Sequence, residues 1–121
     1  LPNSPGDIFV PCGLGGVLNA QTVAQLNCAV VAGAANNQLA SPEVAEMLVA
    51  RGILYAPDYV INSGGLIYVA RTHQGASLSE VTGHLAQIGQ RLQDIFGHAQ
   101  AENCSPARVA DQLAERLLYP V

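Results

Sequence analysis

Residues 29–55 read AVVAGAANNQLASPEVAEMLVARGILY. The run Ala29-Val30-Val31-Ala32-Gly33 is continuously apolar, as expected of a parallel strand covered on both faces. Ser41-Pro42-Glu43 is a helix start, with a serine cap, a proline in the first turn and an early acid. The helix is expected to continue through Met47 and Leu48 to Arg51, where Gly52 stops it. Ile53-Leu54-Tyr55, ended by Pro57, is a second short strand. Strand, helix and strand in succession predict a β-α-β unit in a parallel sheet.

Upstream, Ile8-Phe9-Val10 is another short apolar run, ended by Pro11 and followed by the loop Gly13-Leu14-Gly15-Gly16. Thr22 to Leu26 reads as a short helical stretch. Downstream of Asp58 the pattern becomes helical. Tyr59 to Ala70 predicts one helix interrupted by Gly64-Gly65, which weakens it by about 1 kcal/mol per glycine and implies close packing there. Ser77 and Glu80 fit a capping box. Val81, Leu85, Ile88, Leu92, Ile95 and Ala99 then recur every three or four residues, forming one apolar face of a long helix. Ser105-Pro106 opens a last helix with Val109, Leu113 and Leu117 on one side, limited by Pro120. The fold class expected is α/β, the second half of a Rossmann-like parallel sheet followed by C-terminal helices. Residues 1–75 form the sheet-bearing part and 76–121 the helical segment.

The 121 residues are 50% hydrophobic and only 12% charged, with a net charge of −4. This balance suggests apolar surface meant for a partner, a second domain or another part of the same chain. All five cationic residues are arginines, dispersed over Arg51, Arg71, Arg91, Arg108 and Arg116, so nucleic-acid binding is not expected. No apolar run is long enough to span a bilayer and no signal peptide is visible. The absence of lysine, the lack of an initiating methionine and the linker-like opening Leu1-Pro2-Asn3-Ser4-Pro5-Gly6 suggest a segment of a longer protein. Cys12, Cys28 and Cys104 are an odd number without metal-type spacing. Cys12 follows one strand and Cys28 precedes its parallel neighbour, which puts them at opposite ends of the sheet. Free thiols in a reducing, cytoplasmic setting are expected.

Open parallel sheets bind ligands beyond the carboxyl ends of their strands. The three strands lead into Pro11–Gly16, Ala34–Asn37 and Pro57–Asn62, segments rich in glycine or carboxamides and poor in charge. Gathered at one edge, they suit a neutral, amide-bearing ring better than a metal or a phosphate. Asparagine and glycine are also ordinary turn residues, so composition leaves both readings open. Asp58 could cap the next helix or orient a ligand. Cys12 reads as a small buried thiol rather than a nucleophile. His73, His84 and His98 lack ligand spacing, and no metal site is expected. Gly13-x-Gly15-Gly16 is not a dinucleotide fingerprint, since the third glycine and the acidic partner are absent.

Three segments, spanning residues 7 to about 70 in order and spacing, resemble the Glu/Leu/Phe/Val amino-acid dehydrogenase family. They are Asp7-Ile8-Phe9-Val10-Pro11-Cys12-Gly13-Leu14-Gly15-Gly16, Val31-Ala32-Gly33-Ala34-Ala35-Asn36-Asn37-Gln38-Leu39, and Arg51 through Gly65. The look is closest to leucine, valine and phenylalanine dehydrogenases. The resemblance implies an NAD-dependent enzyme in which an L-amino acid loses a hydride to nicotinamide and the imine is hydrolysed to a 2-oxo acid and ammonia. It implies that this chain supplies the C-terminal half of the dinucleotide-binding domain. A separate N-terminal domain would carry the catalytic lysine, so this chain would supply no catalytic residue. Cys12, Gly13, Asn37 and Asn62 match cofactor-side positions, while Asn37, Leu66 and Val69 match the substrate pocket. Leu66 favours an aliphatic side chain. The family usually has alanine where Gly13 stands, and Ala70-Arg71-Thr72-His73 replaces an acidic continuation. The rest of the chain and further copies of it are the expected partners, together with the L-amino acid or 2-oxo acid.

Two other readings remain open. The chain could be a non-catalytic interaction or regulatory module derived from that family, using the apolar faces Val81–Ala99 and Val109–Leu117 as its contact surface. It could also be a small hydrolase using Cys12.

Overall fold

The computed structural model describes residues 4–120. Three two-residue strands, β1 (Ile8–Phe9), β2 (Val30–Val31) and β3 (Leu54–Tyr55), form a parallel sheet in the order β1-β2-β3. Helices α1 (Ala20–Gln25) and α2 (Glu43–Ala50) make the two crossovers. Then follow α3 (Asp58–Ile61), α4 (Gly64–His73), α5 (Leu78–Glu102) and α6 (Pro106–Leu118). An α/β sheet unit trailed by helices is therefore present, as expected.

Both crossovers advance in the same direction across the sheet. Right-handed connections then place α1 and α2 on one face. The register aligns Phe9, Val31 and Tyr55, and this row joins Val23, Val44 and Leu48 of the two helices in the main core. The opposite row, Ile8, Val30 and Leu54, stays open, with Ile8 58% and Leu54 40% exposed. Coverage of both faces is thus corrected: among the described residues, the helices cover one.

Local signals explain most boundaries. Asn19 caps α1, its side-chain oxygen accepting the Gln21 (3.1 Å) and Thr22 (3.0 Å) N–H groups, while Thr22 Oγ1 accepts the Asn19 N–H (2.9 Å). The helix therefore begins before Thr22, which serves as the return arm of the capping box. The expected Ser41 cap is not formed. Pro42 occupies the cap position in helical conformation without a side-chain hydrogen bond; Ser41 gives its carbonyl to the Val44 N–H (3.1 Å) and its side chain to the Glu43 carboxylate, which holds that acid below its ordinary range. Glu43 and Glu46 instead place negative charge near the positive end of the helix dipole. Gly52, at φ 67°, turns the chain out of α2 in the left-handed region open to glycine. The Arg51 guanidinium donates to the Val23 carbonyl and ties the end of α2 to α1.

The single helix expected over Tyr59–Ala70 is two, broken at Asn62-Ser63. A Cβ on Gly64 would meet Leu85 at 3.5 Å, an ordinary contact, and one on Gly65 would meet nothing within 4 Å. The inference of close packing at the glycine pair is therefore corrected.

Ser77 and Glu80 do form their capping box, and Ser105 caps α6 through the Arg108 N–H (3.3 Å). Ile95 and Ala99 of α5 close a second core with Val109 and Ala110 of α6 and Val60 of α3. Much of the two apolar faces considered for an external partner is thus spent inside the chain. Leu117, 83% exposed, is an exception.

Candidate functional site

Backbone bonds sew the loops beyond β1 and β2 together. The Ala35 N–H donates to the Pro11 carbonyl (3.0 Å) and the Gly16 N–H to the Asn37 carbonyl (2.7 Å). The Leu18 N–H donates to Gln38 (2.9 Å) and the Ala40 N–H returns to Leu18 (2.8 Å), so Leu18 and Leu39 form a parallel bridge. Two glycines permit this closeness. A Cβ on Gly33 would lie 2.2 Å from the Pro11 carbonyl oxygen, and one on Gly15 would lie 3.0 Å from the Asn36 and Asn37 carbonyl oxygens.

The second loop is joined to the third through side chains. Asn62 Nδ2 donates to Asn36 Oδ1 (2.6 Å) and lies 3.4 Å from the Ala34 and 3.5 Å from the Ala35 carbonyl oxygen. Asp58 Oδ2 accepts the Gln38 N–H (2.9 Å) while Oδ1 accepts the Tyr59 N–H (2.6 Å). Asp58 thus acts across loops as well as at the start of α3. Gln38 is fully buried, and its Nε2 donates to the Gly33 (2.9 Å) and Ala35 (2.8 Å) carbonyls. Those two acceptors fix which end of the amide carries the nitrogen. They leave Oε1 buried with no donor among the described residues, a state that costs about 1–3 kcal/mol.

Asn37 is exposed and holds φ 52°, a left-handed conformation that asparagine tolerates better than most side chains. Gly13 is exposed and open above, and Cys12 is exposed. The buried-thiol reading of Cys12 is therefore corrected: the loop leaves the sheet immediately after buried Pro11. All three cysteines are free. Leu66 and Val69, 74% and 63% exposed, lie about one turn apart on α4, which buries none of its residues. The structure therefore gathers Cys12, Gly13, Asn37 and Asn62 on loops joined at one rim and presents Leu66 and Val69 openly on the helix that follows Asn62.

A groove of about 620 Å³ lies between the starts of α2 and α6 and is bordered by the second and third loops. Asn37, Tyr55, Asp58, Tyr59, Arg108 and Asp111 are among its lining residues; Cys12, Gly13, Asn62, Leu66 and Val69 are not. Tyr59 donates to Asp111 Oδ1 (2.5 Å) across it. Burial, then the bond to Asp111 and nearby carboxylates, push the Tyr59 phenol well above its ordinary range. Burial, followed by the charge of Asp58, does the same to Tyr55. Both phenols remain protonated at neutral pH.

Sequence reading passed over Gln38 and Asn36 as functional residues. Both lie in a run of three carboxamides, and no periodic signal shows that Gln38 turns inward while Asn36 meets Asn62. Among the described residues, no three His, Cys, Asp or Glu side chains gather as a metal would require, and no helix is long and apolar enough to cross a membrane.

The profile of the family described as Glutamate/Leucine/Phenylalanine/Valine dehydrogenase matches residues 1–114. A valine dehydrogenase of Streptomyces albus is 48% identical over 110 residues, covering 91% of this chain and 30% of that protein. A leucine dehydrogenase of Geobacillus stearothermophilus is 42% identical, covering 90% and 30%. The crystal structure of L-tryptophan dehydrogenase from Nostoc punctiforme superposes with a TM-score of 0.90 at 41% identity, covering 94% of this chain and 34% of that one. The chain thus spans about a third of the length of the relatives it matches.

Proposed function

The chain belongs to the Glutamate/Leucine/Phenylalanine/Valine dehydrogenase family, and from that premise we propose that the protein carrying it is an NAD-dependent L-amino-acid dehydrogenase. The reaction is oxidative deamination of a branched-chain or other apolar L-amino acid to the 2-oxo acid and ammonia. Residues 1–75 belong to the dinucleotide-binding domain, and residues 76–121 are the helical segment that returns toward a substrate-binding domain. The active protein is a cytoplasmic homo-oligomer.

The observation that carries this reading is the amide-lined rim. Asn62 uses its Nδ2 on Asn36, and among the described residues its Oδ1 and the Asn37 carboxamide make no hydrogen bond. Free carboxamide groups on loops joined to the one that carries the open backbone of Gly13 suit a flat ring bearing its own carboxamide. The family chemistry also needs such a ring, since a bound dinucleotide supplies the hydride acceptor. This chain's part is orientation: Asn37 and Asn62 fix the ring without adding charge, Cys12 and Gly13 border it, and Leu66 and Val69 exclude water from the substrate side chain. Acid/base chemistry has no lysine here to perform it, so the segment alone is inactive and depends on the rest of the enzyme.

The test is NADH formation at 340 nm by the full-length protein with L-valine, L-leucine and L-phenylalanine. Turnover with the aliphatic substrates is expected. Asn62→Ala removes one or two neutral hydrogen bonds and lowers kcat/KM for NAD by roughly 10-fold. Absence of turnover with every L-amino acid, or an unchanged kcat/KM in Asn62→Ala, would refute the reading.

A further inference from the structure

We propose that Gln38 is a positioning residue for the nicotinamide end of the cofactor, buried itself and acting with the half-buried Asp58 as a strut for the amide rim. The inference deepens the function just proposed and rests on it. Neither residue needs to touch the ligand. Gln38 grips two carbonyls of the second loop, Gly33 at 2.9 Å and Ala35 at 2.8 Å, while its own N–H is held by Asp58 at 2.9 Å. Ala35 precedes Asn36, the residue that bonds Asn62 at 2.6 Å. The strut thus ties the segment carrying Asn36 and Asn37 to the start of α3, the helix that leads to Asn62.

Two features separate this strut from ordinary core packing. The side chain of Gln38 is wholly buried yet leaves Oε1 without a donor among the described residues, an arrangement a purely structural site would be expected to replace with an apolar side chain. Next to it Asn37 is held at φ 52°, so the carboxamide offered to the ligand sits on a backbone conformation that needs external support. Buried groups that lock exposed ones into a binding geometry are what a preorganised site requires.

The experiment compares two ligands that share every group except the nicotinamide ring, NADH and ADP-ribose, on the full-length protein. Gln38→Met keeps the volume and removes both amide donors and the orphan acceptor. NADH affinity is expected to fall about tenfold, equal to about 1.4 kcal/mol, with ADP-ribose affinity unchanged. Asp58→Ala is expected to give the same selective loss. Asp58→Asn, which retains an oxygen for the Gln38 N–H, is expected to rescue it. Wild-type affinities for both ligands in Gln38→Met, or equal loss of both, would overturn the inference while leaving the dehydrogenase reading in place. Should Gln38→Met not fold, Asp58→Ala carries the test. If neither folds, the strut is structural and the proposal fails. A wild-type protein that binds NADH no more tightly than ADP-ribose would refute the nicotinamide site itself.

Discussion

Gly33→Ala probes the closest backbone approach in the rim. The new Cβ would lie 2.2 Å from the Pro11 carbonyl oxygen and 2.6 Å from both Pro11 Cδ and Pro11 N. All three belong to one rigid residue, so no flexible side chain can give way. Reaching 3.4 Å, the inner limit of ordinary contact, requires the ends of β1 and β2 to part by about 1.2 Å. Such a movement takes the 3.0 Å bond from the Ala35 N–H to Pro11 out of hydrogen-bonding range. Overpacking of this kind costs about 1–3 kcal/mol, and the broken bond adds about 1 kcal/mol. The reduced freedom of the unfolded chain returns about 0.4–1 kcal/mol. The net destabilisation is about 2–3 kcal/mol. With a denaturant slope of roughly 2 kcal/mol/M, the urea midpoint followed by far-UV circular dichroism falls by about 1–1.5 M. Gly13→Ala is the control, because its Cβ meets nothing within 4 Å; it is expected to change stability by no more than about 0.5 kcal/mol. If the two variants unfold at the same urea concentration, the steric argument for the joined strand ends is wrong.

Ser77→Ala removes the capping partner of α5 and is expected to cost about 1 kcal/mol near neutral pH, read by urea unfolding. Glu80 is held below the ordinary carboxylate range, chiefly by its Ser77 hydrogen bond. That stabilisation is present above the ordinary value and is lost as pH falls through the lowered one. Helicity of the variant should therefore depend less on acid than that of the wild type. Tyr59→Phe removes the phenol that donates to Asp111. A raised phenol contributes its stability below its ordinary value of about 10 and loses it as pH climbs toward the raised value. Tyr59→Phe should therefore be less stable than the wild type near neutral pH and lose less stability as pH rises above about 10, read from urea midpoints across that range; an unchanged alkaline dependence would argue against burial of this hydroxyl.

The parts of the fold carried by local rules were legible. Short apolar runs ended by proline, glycine after α2, and the Ser77 and Ser105 caps all act within a few residues, and all appear as read. Failures occurred where a local signal is weak or shared, and where a distant contact decides. Asn19 closes its capping box with Thr22 where the sequence signature has an acid or glutamine, and Pro42 displaced Ser41 by one position. The break at Asn62-Ser63 divides what periodicity read as one helix. Cys12 has the composition of a core residue, yet the chain exits the sheet immediately before it. The candidate site was half legible: strand ends and loop residues show in one dimension, whereas the inward turn of Gln38 depends on carbonyls three and five positions back.

The seam from Gly16 to Ala40 is made of main-chain donors and acceptors. Side chains along it, the buried Gln38 apart, can be exchanged without unfastening the loops, provided the tight glycines stay. Selection can therefore rework what the rim recognises while its scaffold persists, so changes in ligand preference need not pass through a loosened intermediate. The stitching that holds the rim also leaves its chemistry free to drift.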